Sequence, residues 1–352
     1  MRTELLDYDL PDELIARRPL AERDASRLLV LDSGEIAHRL IRELPELLPE
    51  GALLVVNDTR VRQARVFGTR RASGGRVELL MLGRRPELER ADGRETWQAL
   101  GRASKPLRVG LFIDAGRLEC EVLDRAEDGT LLLAVSAEGS VEAVLAGEGR
   151  VPIPPYLGRD DDAEDQVRYQ TVYANRIGSV AAPTAGLHLT PELLARMADR
   201  GIELGRLELQ VGLGTFKPIV TDDLSGHVMH RESFEIDAEL AEKVERARAR
   251  QAPVVAVGTT VVRALESAAD AARPGQVTPQ NTETRLLIQP GYTFKVVDAL
   301  LTNFHQPRST LLALVAAFAG FDAMRAAYRT AVAERYRFLS FGDAMWLPRR
   351  AS

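Results

Sequence analysis

Four of the chain's five histidines stand in stretches whose neighbours could serve a reaction. GSVAAPTAGLHLT, residues 178–190, runs through small side chains, Thr184 and Gly186 among them, and then delivers His188. A side-chain-poor run lets backbone approach a ligand closely, and a neutral imidazole can accept a proton near pH 7. HVMHRE brings His227 and His230 close to Glu232. That spacing permits two metal ligands on one side of a helix or loop, but zinc needs a third and none is evident. No metal is expected, and a hydrogen-bonding role in a pocket competes with a purely structural one. LLTNFHQPRST sets Thr302, Asn303 and His305 between a strand-like run and a helix, which suits pocket lining and helix capping equally. His38, in a charged stretch, reads as surface.

Two loops add small residues at strand ends: VGLGTF, with Gly212, Gly214 and Thr215, and VGTT, with Gly258, Thr259 and Thr260. In open α/β folds ligands bind at the carboxyl ends of strands, beside helix N-termini. Each loop taken singly is also an ordinary turn. Neither matches a Walker or dinucleotide fingerprint, and there is no G-x-S-x-G elbow, no H-E-x-x-H and no nucleophilic cysteine. The chemistry implied is that of a small organic ligand held without metal.

The elements that must position these residues fall into three stretches. LLVLD and ALLVVND read as buried strands, with RELPELLPEG a short helix between them. From Arg60, six short strand candidates (VRQARVFGTR, GGRVELLMLG, ETWQALGR, PLRVGLFID, GRLECEVLD and GTLLLAVS) follow one another between Gly, Pro and Asp turns, the texture of a small barrel. The helix SVEAVLAGEG and the proline-rich VPIPPYLGR close that stretch. Helices then alternate with the strands IELGRLELQV, APVVAVGTT, TRLLIQPG and VVDALLTNF, which predicts mostly parallel pairing. The expected architecture is an α/β, barrel-like main domain in two parts, 1–59 and 151–352, with a β-barrel domain inserted over 60–150.

At 352 residues, 45% hydrophobic and 28% charged, the chain has a globular composition and more than one core. It has no apolar run of membrane-spanning length and no signal-peptide order at the N-terminus, so no membrane is expected. Its single cysteine, Cys120, fits a reducing cytoplasm and reads as a strand filler. A net charge of −5 argues against indiscriminate nucleic-acid binding. A local basic face is still allowed: six arginines, Arg60, Arg62, Arg65, Arg70, Arg71 and Arg76, occur over 60–76 without an acid.

Beyond these local readings, a set of ordered segments carries a resemblance. YDLPDELIARRPLAERDASRLLVLD, VVNDTRVRQARVFG, SGGRVELL, VPIPPYL, RYQTVYA, GSVAAPTAGLHLT, VGLGTFKPI, HVMHRE, VGTTVVRALES, PGYTFKVVDALLTNFHQPRSTLLALVAAFAG and YRFLSFGDAM run nearly end to end. Together they resemble the S-adenosylmethionine:tRNA ribosyltransferase-isomerases of queuosine biosynthesis. The chain departs from that pattern at Leu189, where the family usually has Phe, at Gln306, where it has Leu, and at Gln210, where a His is common.

The resemblance implies transfer and isomerisation of the ribosyl group of S-adenosylmethionine onto a 7-aminomethyl-7-deazaguanine base at the tRNA wobble position. Epoxyqueuosine forms, and adenine and methionine leave. S-adenosylmethionine is then a consumed substrate; no cofactor, no obligate protein partner and a cytoplasmic enzyme are expected. His188 leads as the base that removes a proton beside the sulfonium, with His305, His230 and His227 as rivals. Thr184, Gly186, Gly212, Gly214, Thr215, Glu232, Gly258, Thr259, Thr260, Arg263, Asp298, Thr302 and Asn303 are expected at or near the substrate, and the six arginines at tRNA. A non-catalytic RNA-binding module would leave the pocket-like loops unexplained. A methyltransferase would need a glycine-rich first loop and an acidic ribose ligand, and neither is recognisable.

Overall fold

The computed structural model describes residues 1–88, 90–212, 219 and 221–349. The chain opens with an antiparallel hairpin, β1 (Arg27–Asp32) and β2 (Glu35–Leu40), then a short helix α1 (Leu44–Leu47), β3 (Leu53–Asn57) and β4 (Thr59–Val61). Next come β5 (Arg65–Arg70), β6 (Arg76–Arg84), β7 (Glu95–Ala103), β8 (Phe112–Ala115), β9 (Leu118–Arg125) and β10 (Leu131–Ala137). These six strands close into the antiparallel barrel that the turn spacing predicts, in the order β10-β7-β6-β5-β8-β9.

Alternation fills the barrel. Val77, Leu79 and Met81 of β6, Leu118, Cys120 and Val122 of β9, and Leu131, Leu133 and Val135 of β10 all point into one buried cluster. Cys120 is part of that filling, and burial pushes its thiol up to about 12, so it stays an unreactive apolar side chain. Where the chain enters and leaves the barrel, Arg65 and Arg150 exchange backbone hydrogen bonds in both directions, at 3.1 and 2.8 Å.

After the barrel come α2 (Val141–Glu148), α3 (Ala163–Arg168), β11 (Arg176–Ser179), α4 (Pro191–Asp199), β12 (Glu203–Leu209), β13 (Glu232–Ile236) and α5 (Ala238–Ala249). The remainder is β14 (Val254–Val257), α6 (Thr259–Ser267), β15 (Gln280–Thr284), β16 (Ala299–Asn303), α7 (Thr310–Ala319), α8 (Phe321–Ala333) and β17 (Ala344–Pro348). β11 pairs with β4 alone, while nine strands form one sheet in the order β15-β13-β12-β3-β14-β16-β17-β1-β2.

An α/β main domain with an inserted small barrel is as expected, and the large sheet within it is mixed rather than mostly parallel. Among the described residues it is open, with β15 and β2 at its edges. Only the pairs β12–β3, β3–β14, β14–β16 and β17–β1 are parallel. The strands that flank this parallel centre return antiparallel, which requires no helical crossover.

The central strands are buried on both faces, which explains their unbroken apolar runs. Leu53 and Val55 of β3 and Val254 and Ala256 of β14 face one core with the inner residues of α5 to α8. Leu54, Val56, Val255 and Val257 face the other, with Leu44 of α1 and Leu193 and Met197 of α4. Each fully buried Leu or Val contributes about 1.5–3 kcal/mol relative to exposure. That double burial makes the sheet centre a rigid base for the loops at its carboxyl edge. No single helix among the described residues is long and apolar enough to cross a membrane.

Candidate functional site

The carboxyl ends of β14 and β16 lie side by side, and the chain leaves each in a way its sequence dictates. After β14, Gly258 takes φ +96°, a left-handed value that favours glycine, and its N–H donates to the Leu301 carbonyl at 2.8 Å. α6 starts at once, without a side-chain cap, so its first-turn N–H groups face the strand ends. After β16, Ser309 caps α7 by accepting from the Leu312 N–H at 3.2 Å, which ties down the 304–309 turn.

Between these ends lies a pocket of about 70 Å³. Thr184, Gly258, Thr259, Thr260, Thr302, Asn303 and His305 all line it, joined by Tyr156 and Ser340 from elsewhere in the chain. Small residues of the 181–185 run, Ala181, Ala182 and Ala185, form another wall. This is the smooth surface that the GSVAAPTAGLHLT stretch promised. Among the described residues, no charged side chain lines the pocket.

His305 is fixed on every side. Its Nε2 is 2.8 Å from Thr302 Oγ1, its N–H donates to Tyr328 Oη at 3.0 Å, and its carbonyl accepts from Tyr8 Oη at 2.5 Å. Burial alone pulls its imidazole down to about 3, so it is neutral at physiological pH.

His188, expected to lead as the base, does not line this pocket. It stands behind the pocket, in a small cavity with Arg23, Arg168 and Phe341, and its Nε2 lies 3.2 Å from Asn303 Nδ2. Asn303 Nδ2 also donates to the Leu339 carbonyl at 3.1 Å. Because a carbonyl can only accept, this contact fixes which end of the amide is nitrogen. His188 therefore accepts through Nε2 and carries its proton on Nδ1, in agreement with a hydrogen bond to the Arg23 backbone. Burial is the main cause that lowers its imidazole to about 4. Leu339 itself sits at φ +72°, a strained setting for leucine that aims its carbonyl at Asn303.

A second, smaller cavity adjoins the first across Leu311, which lines both. It gathers His227, His230, Glu232 and Arg263. Arg263 Nη1 pairs with Glu232 Oε2, and Arg263 Nε donates to the Leu286 carbonyl at 3.0 Å. Both side chains are buried, and burial draws the guanidinium down to about 10, still charged at neutral pH. Arg263 Nη2 is buried with no hydrogen-bond partner. Gly212 approaches the same carboxylate, its N–H 3.4 Å from Glu232 Oε1. Gly214 and Thr215 lie outside the described residues.

Other residues singled out in the sequence stand away from these two cavities or are held by partners within the protein. Asp298 precedes β16, at the end opposite Thr302 and about 13 Å along the strand from it. There its Oδ2 accepts from Arg248 Nη1 at 2.6 Å and from the Val254 N–H at 2.8 Å, a brace between strands. Gly186 does not line the pocket; a Cβ there would overlap the Tyr173 hydroxyl, so close packing requires the glycine. The arginines do not form one free basic face. Arg62 pairs with Glu142 at 2.9 Å, Arg65 with Glu78 at 2.6 Å and Asp160 at 3.2 Å, and Arg71 with Asp114 at 2.6 Å. Arg70 donates to the Lys105 carbonyl. Arg60 and Arg76 are exposed and make no ion pair among the described residues. The acids missing from 60–76 in sequence are thus supplied from distant segments.

Tyr156 and Ser340, bonded to each other at 2.5 Å, were not singled out as pocket residues. They lie in VPIPPYL and YRFLSFGDAM, two of the ordered segments quoted above, and that was the available signal.

Comparison with known proteins agrees with the ordered segments. Residues 3–347 match the family model described as Queuosine biosynthesis protein. The S-adenosylmethionine:tRNA ribosyltransferase-isomerase of Sorangium cellulosum (strain So ce56) is 54% identical over 367 residues, covering 98% of each chain. That of Anaeromyxobacter dehalogenans (strain 2CP-C) is 51% identical, over 99% of this chain and 100% of its own. A crystal structure of S-adenosylmethionine tRNA ribosyltransferase from Thermotoga maritima superposes with a TM-score of 0.55 at 36% identity, covering 97% of this chain and 99% of that one. The chain belongs to the S-adenosylmethionine:tRNA ribosyltransferase-isomerase family of queuosine biosynthesis enzymes.

Proposed function

We propose that this enzyme transfers and isomerises the ribosyl group of S-adenosylmethionine onto 7-aminomethyl-7-deazaguanine at the tRNA wobble position, giving epoxyqueuosine with release of adenine and methionine. The observation that carries the reading is the near full-length likeness to enzymes of that name at 54% and 51% identity. S-adenosylmethionine is consumed as a substrate, tRNA is the other partner, and no further cofactor takes part. The reaction is cytoplasmic, where tRNA and S-adenosylmethionine meet.

The chemistry begins with loss of a proton from the carbon beside the sulfonium, which the adjacent positive charge acidifies. His305 is the imidazole suited to receive it, because it lines the pocket and is neutral. Proton transfer from that carbon leaves a neutral ylide and creates an imidazolium, so the total charge at the site stays at one. A site that tolerates the sulfonium therefore tolerates the protonated base. His188 acts through Asn303. The buried donor that Arg263 keeps unpaired supports a contact with the methionyl carboxylate.

The test is incubation of the enzyme with S-adenosylmethionine and tRNA bearing the aminomethyl-deazaguanine base. Adenine and methionine should appear in step with a mass gain on the wobble nucleoside. Appearance of S-adenosylhomocysteine would mean methyl transfer and overturn the reading.

A further inference from the structure

We infer that the pocket between the end of β16 and the start of α6 is an adenine-reading subsite, in which Asn303 Oδ1 accepts from the exocyclic amino group and Thr260 Oγ1 donates to a ring nitrogen. The assignment rests on the reaction proposed above and says which part of S-adenosylmethionine enters this pocket.

The polar side chains of the pocket are mostly satisfied within the protein. Thr302 bonds His305, Tyr156 bonds Ser340, and Ser309 caps α7. Among the described residues that line it, two have a buried side-chain atom with no hydrogen-bond partner: Asn303 Oδ1 and Thr260 Oγ1. Asn303 and Thr260 are only 2% and 8% exposed, so bulk water does not serve them. An unsatisfied buried polar atom costs about 1–3 kcal/mol, a cost a complementary ligand removes.

The chemical sense of Asn303 is fixed by its neighbours. Both hydrogens of Asn303 Nδ2 are committed, one to the Leu339 carbonyl and one to His188 Nε2. What Asn303 keeps for the pocket is an acceptor. Thr260 keeps a hydroxyl on the first turn of α6, close to Gly258, and with no partner it is free to donate. One acceptor and one donor carried by residues that line a slot with no charged side chain among the described residues match an amino group beside a ring nitrogen, which is the edge adenine presents.

The other pieces of the substrates fit poorly. The methionyl end carries an ammonium and a carboxylate, the aminomethyl base carries an ammonium, and tRNA carries phosphates. Each would be desolvated without a counter-ion in a pocket that no charged side chain lines among the described residues. Adenine is the uncharged part.

The experiment compares S-adenosylmethionine with its 6-oxo analogue, S-inosylmethionine, in turnover with modified tRNA and in competition binding, using the full chain. The 6-oxo group faces Asn303 Oδ1 with a second acceptor, so the analogue should bind at least about 10-fold more weakly. Thr260→Val should weaken S-adenosylmethionine by about 5- to 10-fold. The deaza analogue lacking the ring nitrogen that Thr260 reads should then bind wild type and variant alike. Equal handling of the 6-oxo and natural substrates, with wobble product formed from both, would overturn the subsite and leave the reaction standing. Failure to release adenine or form product from S-adenosylmethionine itself would overturn the reaction and the subsite together.

Discussion

His188 Nε2 accepts a hydrogen bond from Asn303 Nδ2 at 3.2 Å, and through that contact a histidine outside the pocket sets the orientation of an amide inside it. Removing the acceptor frees the amide to rotate. His188→Ala should lower turnover by about 10- to 100-fold, from the loss of about 1–3 kcal/mol. His188→Gln, whose side-chain carbonyl can still accept, should recover part of it. Steady-state kinetics on both variants and on the Asn303→Ala double mutants check this, and the losses at the two positions should not add.

Stability should fall on mild acidification. The unfolded imidazole titrates near 6.5, while burial holds His188 at about 4 and His305 at about 3 in the folded chain. Above pH 6.5 both states are neutral and full stability is present. Between 6.5 and about 4 the unfolded chain takes up protons that the folded chain refuses, so stability drops as pH drops. His188 alone accounts for roughly 3 kcal/mol across the whole window. Urea unfolding between pH 7.5 and 5.5 should show this slope, and His188→Gln should reduce it.

The Glu232–Arg263 pair should be costly to break from one side. Glu232→Ala leaves a buried guanidinium without its counter-ion, which costs about 3–5 kcal/mol. Replacing both residues by Met should restore much of the stability and none of the activity. Denaturant midpoints set against turnover separate these effects.

Gly186→Ala should destabilise the chain, because the new methyl meets the Tyr173 hydroxyl. That hydroxyl is buried without a partner, so Tyr173→Phe costs little and should relieve part of the clash. Thermal unfolding of the two single variants and the double variant tests the contact.

The free arginines should separate from the committed ones. Arg60→Ala with Arg76→Ala should weaken tRNA binding and flatten its salt dependence, since both are exposed and unpaired among the described residues. Arg65→Ala should instead loosen the barrel entry, where that residue holds Glu78 and Asp160. Filter binding over a salt series distinguishes the two.

The legible parts of this chain were those written in local pattern. The apolar runs of β3 and β14 announce strands buried on both faces, and the alternation of β9 and β10 announces a barrel. β15 is the exception: its residues, QNTET, are mostly exposed at a sheet edge and carry no apolar signal, so the apolar pattern points instead to TRLLIQPG, which begins at its last residue, Thr284. Thr302 and Asn303 were expected at the substrate because a strand ends there; Asp298 was grouped with them because sequence does not say which end of a strand faces the pocket. Glu142, which pairs with Arg62, and Asp160, one of the two acids on Arg65, come from 80 and 95 residues away, and only the fold brings them together.

The most direct test of the central claim follows two labels through one turnover. With S-adenosylmethionine carrying labelled ribose carbons and a differently labelled methyl group, the account predicts all the ribosyl label in the wobble nucleoside and all the methyl label in free methionine. Methyl label in the tRNA, or ribosyl label retained on an adenine nucleoside, would contradict it.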